Sequence, residues 1–152
     1  MNQNLDVLGE LEISYKYKSK LSEKPKINSC HDAFRIASKF ITKDVIGLQE
    51  KLIVLYLNNC NIFIGCLNEF SGSLTSTTFD VKMIVGTGIK LMASAAIIIH
   101  NHPSGNLKPS NEDIKATEKL KVALNYMDIK LLDHLIISPE YRYLSFADEG
   151  LL

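Results

Sequence analysis

The run Leu52-Ile53-Val54-Leu55-Tyr56-Leu57 constrains the fold more than any other stretch of the chain. Apolar residues follow one another without a break, so a strand formed there has no face for water and is buried on both sides. Such a strand predicts an α/β domain whose sheet is flanked by helices. Asn58-Asn59-Cys60-Asn61 is a turn by residue type, and Ile62 to Leu67 returns as the partner strand of a hairpin. Ala95 to His100 is a short apolar strand, bounded by Pro103 and Gly105.

Helical spacing fills the intervals. A helix starts after Ser29, an N-cap by residue type, and turns Ala33, Phe34, Ala37, Phe40 and Ile41 to one face. His31 at its start reads as a surface residue. A second helix runs from Phe79 to about Ala93, with Val81, Ile84, Val85, Ile89 and Leu91 or Met92 inward. Gly86 and Gly88 each weaken it by roughly 1 kcal/mol relative to alanine. A third runs from Asn111 to about Met127, with Ile114, Thr117, Leu120, Ala123, Leu124 and Met127 inward. Ile129 to Ser138 and Arg142 to Phe146 form the last hairpin. At 152 residues the chain makes one domain, large enough to fold without disulfides or a structural metal. Residues 1–23 form an N-terminal arm with a first strand, in which Leu11, Ile13 and Tyr15 alternate with polar residues; 24–152 form the domain, with a mixed sheet.

Charge narrows the partners. Lys+Arg and Asp+Glu both number 17, which gives no overall pull toward nucleic acid or anionic lipid. A local excess, Lys16, Lys18, Lys20, Lys24 and Lys26, reads as a solvated strand and loop before it reads as a phosphate-binding arm. The three cysteines, Cys30, Cys60 and Cys66, form no C-x-x-C and are expected as buried or half-buried thiols in a reducing compartment. The start MNQNLDVLGE lacks the pattern of a secretory signal, and the apolar stretch around Leu91 to Ile99 is too short to span a bilayer. A cytoplasmic protein with no membrane partner is the expectation.

The chemistry lies in His100-Asn101-His102-Pro103-Ser104-Gly105 and Pro109-Ser110-Asn111-Glu112-Asp113. Residues i and i+2 of an extended segment point the same way, so the two imidazoles converge. Pro103 and Gly105 turn the chain, and Asp113 in the first turn of the following helix closes back on them. Two imidazoles and a carboxylate suit one zinc ion, with ligands at about 2.0–2.2 Å and a fourth position open to solvent. Ser110-x-x-Asp113 is also a helix cap by pattern, with the serine accepting an amide and the acid complementing the helix dipole. A hydrolase further needs a group that takes and returns a proton. Glu50, just before the apolar strand, and Glu69, at the end of its partner, both qualify from the residues alone.

His100-x-His102, seven residues and Ser110-x-x-Asp113 resemble the JAMM (MPN+) metalloprotease motif. Together with Asp133-His134-Leu135-Ile136-Ile137 and the tail from Tyr143-Leu144-Ser145-Phe146 to Gly150-Leu151-Leu152, the text resembles the RadC family more closely, from about Lys24 onward. The resemblance implies a JAMM-type, cytidine-deaminase-like α/β fold with one zinc on His100, His102 and Asp113. It implies Glu50 as general base in preference to Glu69, and Ser110 as support for a developing oxyanion. Asp133 and His134 match a RadC feature, either as support for the ligands or as a polar pair at a strand's start. Two departures stand out. Longer RadC proteins carry an N-terminal helix-hairpin-helix region that nothing in residues 1–23 resembles. A Pro-Arg-Glu segment before the middle helix is replaced by Phe79-Asp80-Val81-Lys82.

The expected function is a zinc-dependent hydrolase of peptidase or isopeptidase type, acting on a peptide or protein. DNA processing or repair of the RadC kind is the alternative, disfavoured by the balanced charge. A non-enzymatic adaptor is the third, disfavoured by the complete ligand set. Substrate and oligomeric state are not legible.

Overall fold

The computed structural model describes residues 20, 23–70 and 79–152, with only the backbone of 44, 45, 69 and 70. The polar arm, the strand expected at Leu11 to Tyr15 and the stretch from Gly72, where the residue types Gly, Ser and Thr predict a loop, lie outside the described residues. Of the lysine cluster, Lys20, Lys24 and Lys26 are described; Lys20 and Lys26 are exposed and Lys24 is half-buried.

The elements in order are α1 (Cys30–Ala37), α2 (Lys43–Ile46), β1 (Lys51–Leu57), β2 (Phe63–Phe70), α3 (Val81–Lys90), β3 (Ala95–Asn101), α4 (Asn111–Asn125), β4 (Lys130–Ile137) and β5 (Tyr143–Ser145). The strands form one mixed sheet in the order β2-β1-β3-β4-β5. β1 is antiparallel to β2 and β3, β3 is parallel to β4 through α4, and β4 is antiparallel to β5. The parallel step needs a crossover, and α4 supplies it.

The two unbroken apolar runs are the sheet's centre: every residue of β1 and of β3 is buried. Their odd-numbered residues, Ile53, Leu55, Leu57, Ile97 and Ile99, pack with Ala33, Ile36 and Ala37 of α1. Their even-numbered residues, Leu52, Val54, Tyr56, Ala96 and Ile98, pack with Ile84 of α3 and with Leu120 and Leu124 of α4. Period-two alternation therefore assigns each side chain of β3 to one helical layer or the other.

Of the pair Leu91 or Met92 expected inward, Leu91 packs on the core and Met92 is 82% exposed. Two other expected inward residues lie outside, Ile89 at 40% exposed and Met127 at 49%. α3 buries Ile84 and Gly88, one turn apart, against the sheet side of the core, with Val81 and Val85 partly buried beside them, and this seam leaves Ile89 outside. Met127 and Met92 fall just past the ends of α4 and α3, where the chain turns away, Met92 at φ 50°. Gly88 is the contact point itself: a Cβ there would stand 2.8 Å from Ile129 Cδ1 and 3.2 Å from the Tyr56 ring. Cys60 is exposed in its turn rather than buried, while Cys30 and Cys66 are half-buried free thiols. No helix among the described residues is long and apolar enough to cross a membrane.

Candidate metal centre

β3 ends on the His-x-His segment, and alternation sends His100 toward α4. The β1–β3 register pairs Leu52 with His100. Glu50 directly precedes β1 and His102 directly follows β3, so both stand just beyond that last pair, at the same end of the two strands. After His102 the chain turns at Gly105, whose φ of 80° is costly for any residue with a Cβ. α4 then begins with a full capping box. The Asp113 amide donates to Ser110 Oγ at 3.0 Å, while the Ser110 amide and hydroxyl donate to Asp113 Oδ2 at 2.8 and 2.7 Å.

The cap holds Oδ2 and turns Oδ1 toward His100 Nε2, 3.4 Å away. His102 Nε2 is 3.5 Å from Asp113 Oδ2, and the two Nε2 atoms are 2.9 Å apart. A tetrahedral cation with ligands at about 2.0–2.1 Å requires edges of about 3.3 Å. The nitrogen pair and the two nitrogen–oxygen contacts, which run to different oxygens of Asp113, are all close to such an edge. His100, His102 and Asp113 are the His/Cys/Asp/Glu group that could hold a metal ion among the described residues.

Hydrogen bonds fix which ring nitrogens are free. His102 Nδ1 lies 2.6 Å from the Asn106 carbonyl, which can only accept, so Nδ1 carries a proton and Nε2 faces the site, offering a lone pair when the ring is neutral and a hydrogen bond to Asp113 when it is protonated. His100 Nδ1 lies 2.7 Å from His134 Nε2, and His134 Nδ1 lies 2.7 Å from Thr117 Oγ1. Thr117 Oγ1 donates to the Asp113 carbonyl at 2.6 Å. Read outward from a lone pair on His100 Nε2, every link has one donor and one acceptor, and the chain ends on the residue that supplies the carboxylate. Phe79 and Phe146 pack on the His134 ring, with centroids at 5.5 and 4.4 Å, and Phe79 also meets His100 edge-on at 6.5 Å.

Electrostatics follow burial. Burial pushes His100 down to about 4, with Asp113 opposing and His102 adding to the effect. Burial, then the charge of His100, drives His134 well below its ordinary value. For Asp113 burial acts upward, but the hydrogen bond from His102, the proximity of His100 and the two bonds from Ser110 hold the carboxyl well below the usual range. His102 is raised, chiefly by its hydrogen bond to Asp113, with burial opposing and the charge of Glu50 among the smaller causes. Both inner imidazoles are therefore neutral near pH 7, as metal ligands and their supports must be.

The remaining sequence candidates separate. Glu50 is half-buried at the mouth of β1 and its charge is felt at His102. Glu69 sits in β2 across from Leu52, and its side chain lies outside the described atoms. The Ser110 hydroxyl faces Asp113 as cap and as donor. Asp133 does not join the ligands: its oxygens accept from the His134 and Ala147 amides and the Ser145 hydroxyl, joining β4 to β5 and the tail. Sequence reading missed Thr117 as a polar partner, having placed it only inward, and missed Phe79 as a wall, having placed it in a helix. Asp80 instead caps α3, accepting the Met83 amide at 2.9 Å.

Comparison with known proteins agrees with this architecture. The profile of the RadC-like JAB domain matches residues 27–151. A UPF0758 protein of Porphyromonas gingivalis is 39% identical over 149 residues, covering 96% of this chain and 63% of the relative. One of Flavobacterium johnsoniae is 36% identical over 148 residues, covering 97% and 63%. One of Streptococcus gordonii is 44% identical over 101 residues, covering 66% and 44%. The chain thus spans about 63% of the length of the first two relatives.

Proposed function

Because the chain belongs to the RadC-like JAB domain family, we propose that it is a zinc-dependent hydrolase of peptidase or isopeptidase type. The observation that carries the reading is the convergence of three side chains on one point, with the two Nε2 atoms 2.9 Å apart, Asp113 Oδ1 3.4 Å from one and Oδ2 3.5 Å from the other, and the Nδ1 atom of each imidazole engaged elsewhere so that Nε2 faces the site. A structural role would need a closed set of four ligands, and three leave one position open.

Zinc held by His100, His102 and Asp113 supplies Lewis acidity, polarising a carbonyl oxygen and making an adjacent solvent molecule acidic near neutral pH. The chain's own groups do the rest. Glu50, at the same end of the strands as His102 and outside the ligand triangle, takes the proton of the attacking water and returns it to the leaving amine. Its place at the rim leaves it within reach of solvent and of a substrate. The Ser110 hydroxyl, which donates directly to the Asp113 carboxylate at 2.7 Å, supports negative charge that develops on the substrate oxygen. For that its proton turns from Asp113 Oδ2 toward the substrate. His134, Phe79 and Phe146 close the inner side of the site to water, so protons enter and leave by way of Glu50.

Elemental analysis of the zinc-loaded protein, with hydrolysis of a library of peptide and isopeptide-linked fluorogenic substrates, tests the reading. One zinc per chain is expected, lost in His102→Ala and kept in Glu50→Gln, which hydrolyses at least a hundredfold more slowly. A protein that takes up no zinc, or a Glu50→Gln variant with unchanged turnover, refutes it.

A further inference from the structure

We infer that Asn101 is a positioning residue that sets Glu50 against the ligand pair, and thereby couples the acid–base group to the metal site. The inference rests on the role of Glu50 given above. Asn101 stands between the two histidine ligands, so alternation turns it to the opposite face of β3 from His100, and it is fully buried there. It therefore touches neither ligand site nor substrate.

What it touches instead is the segment that carries Glu50. Asn101 Nδ2 donates to the Ile46 carbonyl at 2.8 Å and to the Gln49 carbonyl at 2.9 Å. Its Oδ1 accepts the Lys51 amide at 2.8 Å. Both amide protons and the oxygen are used, and the three bonds bracket residue 50 on either side. The partners lie 50 to 55 residues away in sequence, so the contact ties two distant segments rather than shaping a local turn. Lys51 continues the same face, donating from Nζ to the Phe40 carbonyl at 2.9 Å.

The geometry has a reason. The segment between α2 and β1 is irregular, and Asn101 meets carbonyls and an amide at both of its ends, where main-chain polar groups call for partners. A side-chain amide offers donors and an acceptor in one plane, which neither a hydroxyl nor a carboxylate can supply. One residue of β3 thus fixes the entry of β1, while its neighbours on either side hold the cation. Any tilt of the segment would move Glu50 relative to His102 without disturbing the ligands.

The test uses the cobalt(II)-loaded protein, whose visible absorption bands report changes of protonation at the metal site. The pH midpoint of those bands is measured for the wild type, Glu50→Gln, Asn101→Ala and the double variant, beside metal stoichiometry and the thermal midpoint. Asn101→Ala is expected to keep one metal per chain and to move the spectral midpoint at least half as far as Glu50→Gln does. The double variant is expected to match Glu50→Gln alone, since the two act on one group. A midpoint equal to wild type in Asn101→Ala, even with a lowered thermal midpoint, assigns Asn101 a purely structural role and overturns the inference, as does an additive double variant or loss of metal. Should Asn101→Ala fail to fold, Asn101→Asp is read in the same way; it keeps the shape and the acceptor for Lys51 and loses both donors. Beside these, hydrogen exchange on the unaltered protein must find the Lys51 amide as protected as the core of β1; rapid exchange there also overturns it. If Glu50→Gln itself leaves the midpoint in place, the Glu50 reading falls; if only the Asn101 variants do, that reading stands.

Discussion

Thr117→Val isolates the hydrogen-bonded chain behind His100. Valine keeps the shape and β-branching of threonine, so packing under α4 is preserved. Only the hydroxyl goes, and with it the acceptor 2.7 Å from His134 Nδ1. Zinc on His100 Nε2 requires the proton on His100 Nδ1, which requires an acceptor at His134 Nε2 and hence the proton on His134 Nδ1. In the variant that N–H faces valine, in a site that is fully buried. The zinc-free protein escapes by reversing the chain: His134 Nε2–H then donates to His100 Nδ1, and only a lone pair is left unmet. The penalty therefore falls on the metal-bound form. A buried donor without a partner costs about 1–3 kcal/mol, which corresponds to a loss of zinc affinity of about tenfold to a hundredfold. Competition against a chromophoric chelator measures the affinity, and thermal melts of the zinc-free protein measure the scaffold. Zinc binding within twofold of wild type would show that the tautomer is not held by Thr117. An equal loss of stability in the zinc-free form would show that the hydroxyl serves the fold alone.

Two further expectations follow from the same geometry. Gly88→Ala places a methyl 2.8 Å from Ile129 and 3.2 Å from Tyr56, so overpacking of about 1–3 kcal/mol outweighs the helical gain of alanine, whereas Gly86→Ala meets nothing within 4 Å and gains about 0.5–1 kcal/mol; paired thermal melts decide. Stability of the zinc-free protein is expected to fall with acid: His100 titrates near 4 when folded against an ordinary 6.5, and His134 is also depressed. The unfolded chain therefore takes up protons first, and the contribution of these two rings is full above about 6.5 and lost as pH falls toward 4. His102, raised by its bond to Asp113, works the other way and offsets part of the loss. Denaturant titrations that find no decline across this interval would show that the inner rings are not held neutral.

Sequence reading reached the parts of this molecule that depend on near neighbours. β1 and β3 were legible because unbroken apolar runs admit one interpretation. The ligand triangle was legible because strand alternation and a capping pattern each act over two or three residues. Ile89 was misplaced, and Leu91 and Met92 were left as alternatives, because α3 carries apolar residues around much of its circumference, and only contact with the sheet shows that Ile84 and Gly88 form the seam. Phe79, Thr117 and Asn101 could not be assigned their contacts, since each meets a partner brought in from a distant segment. The tilt of Phe79 on His134 has no trace in spacing, and an asparagine between two histidines looks like an inert spacer until the other face of the strand is seen.

The box that opens α4 has a consequence of its own. Ser110 and Asp113 grip each other through backbone and side chain whether or not an ion is near, and His102 is moored to Asn106 in the same way. The walls of the nest are thus braced by bonds between protein groups alone. Unlike a small finger domain that collapses when stripped of its ion, this one is expected to be emptied and refilled without dismantling its walls.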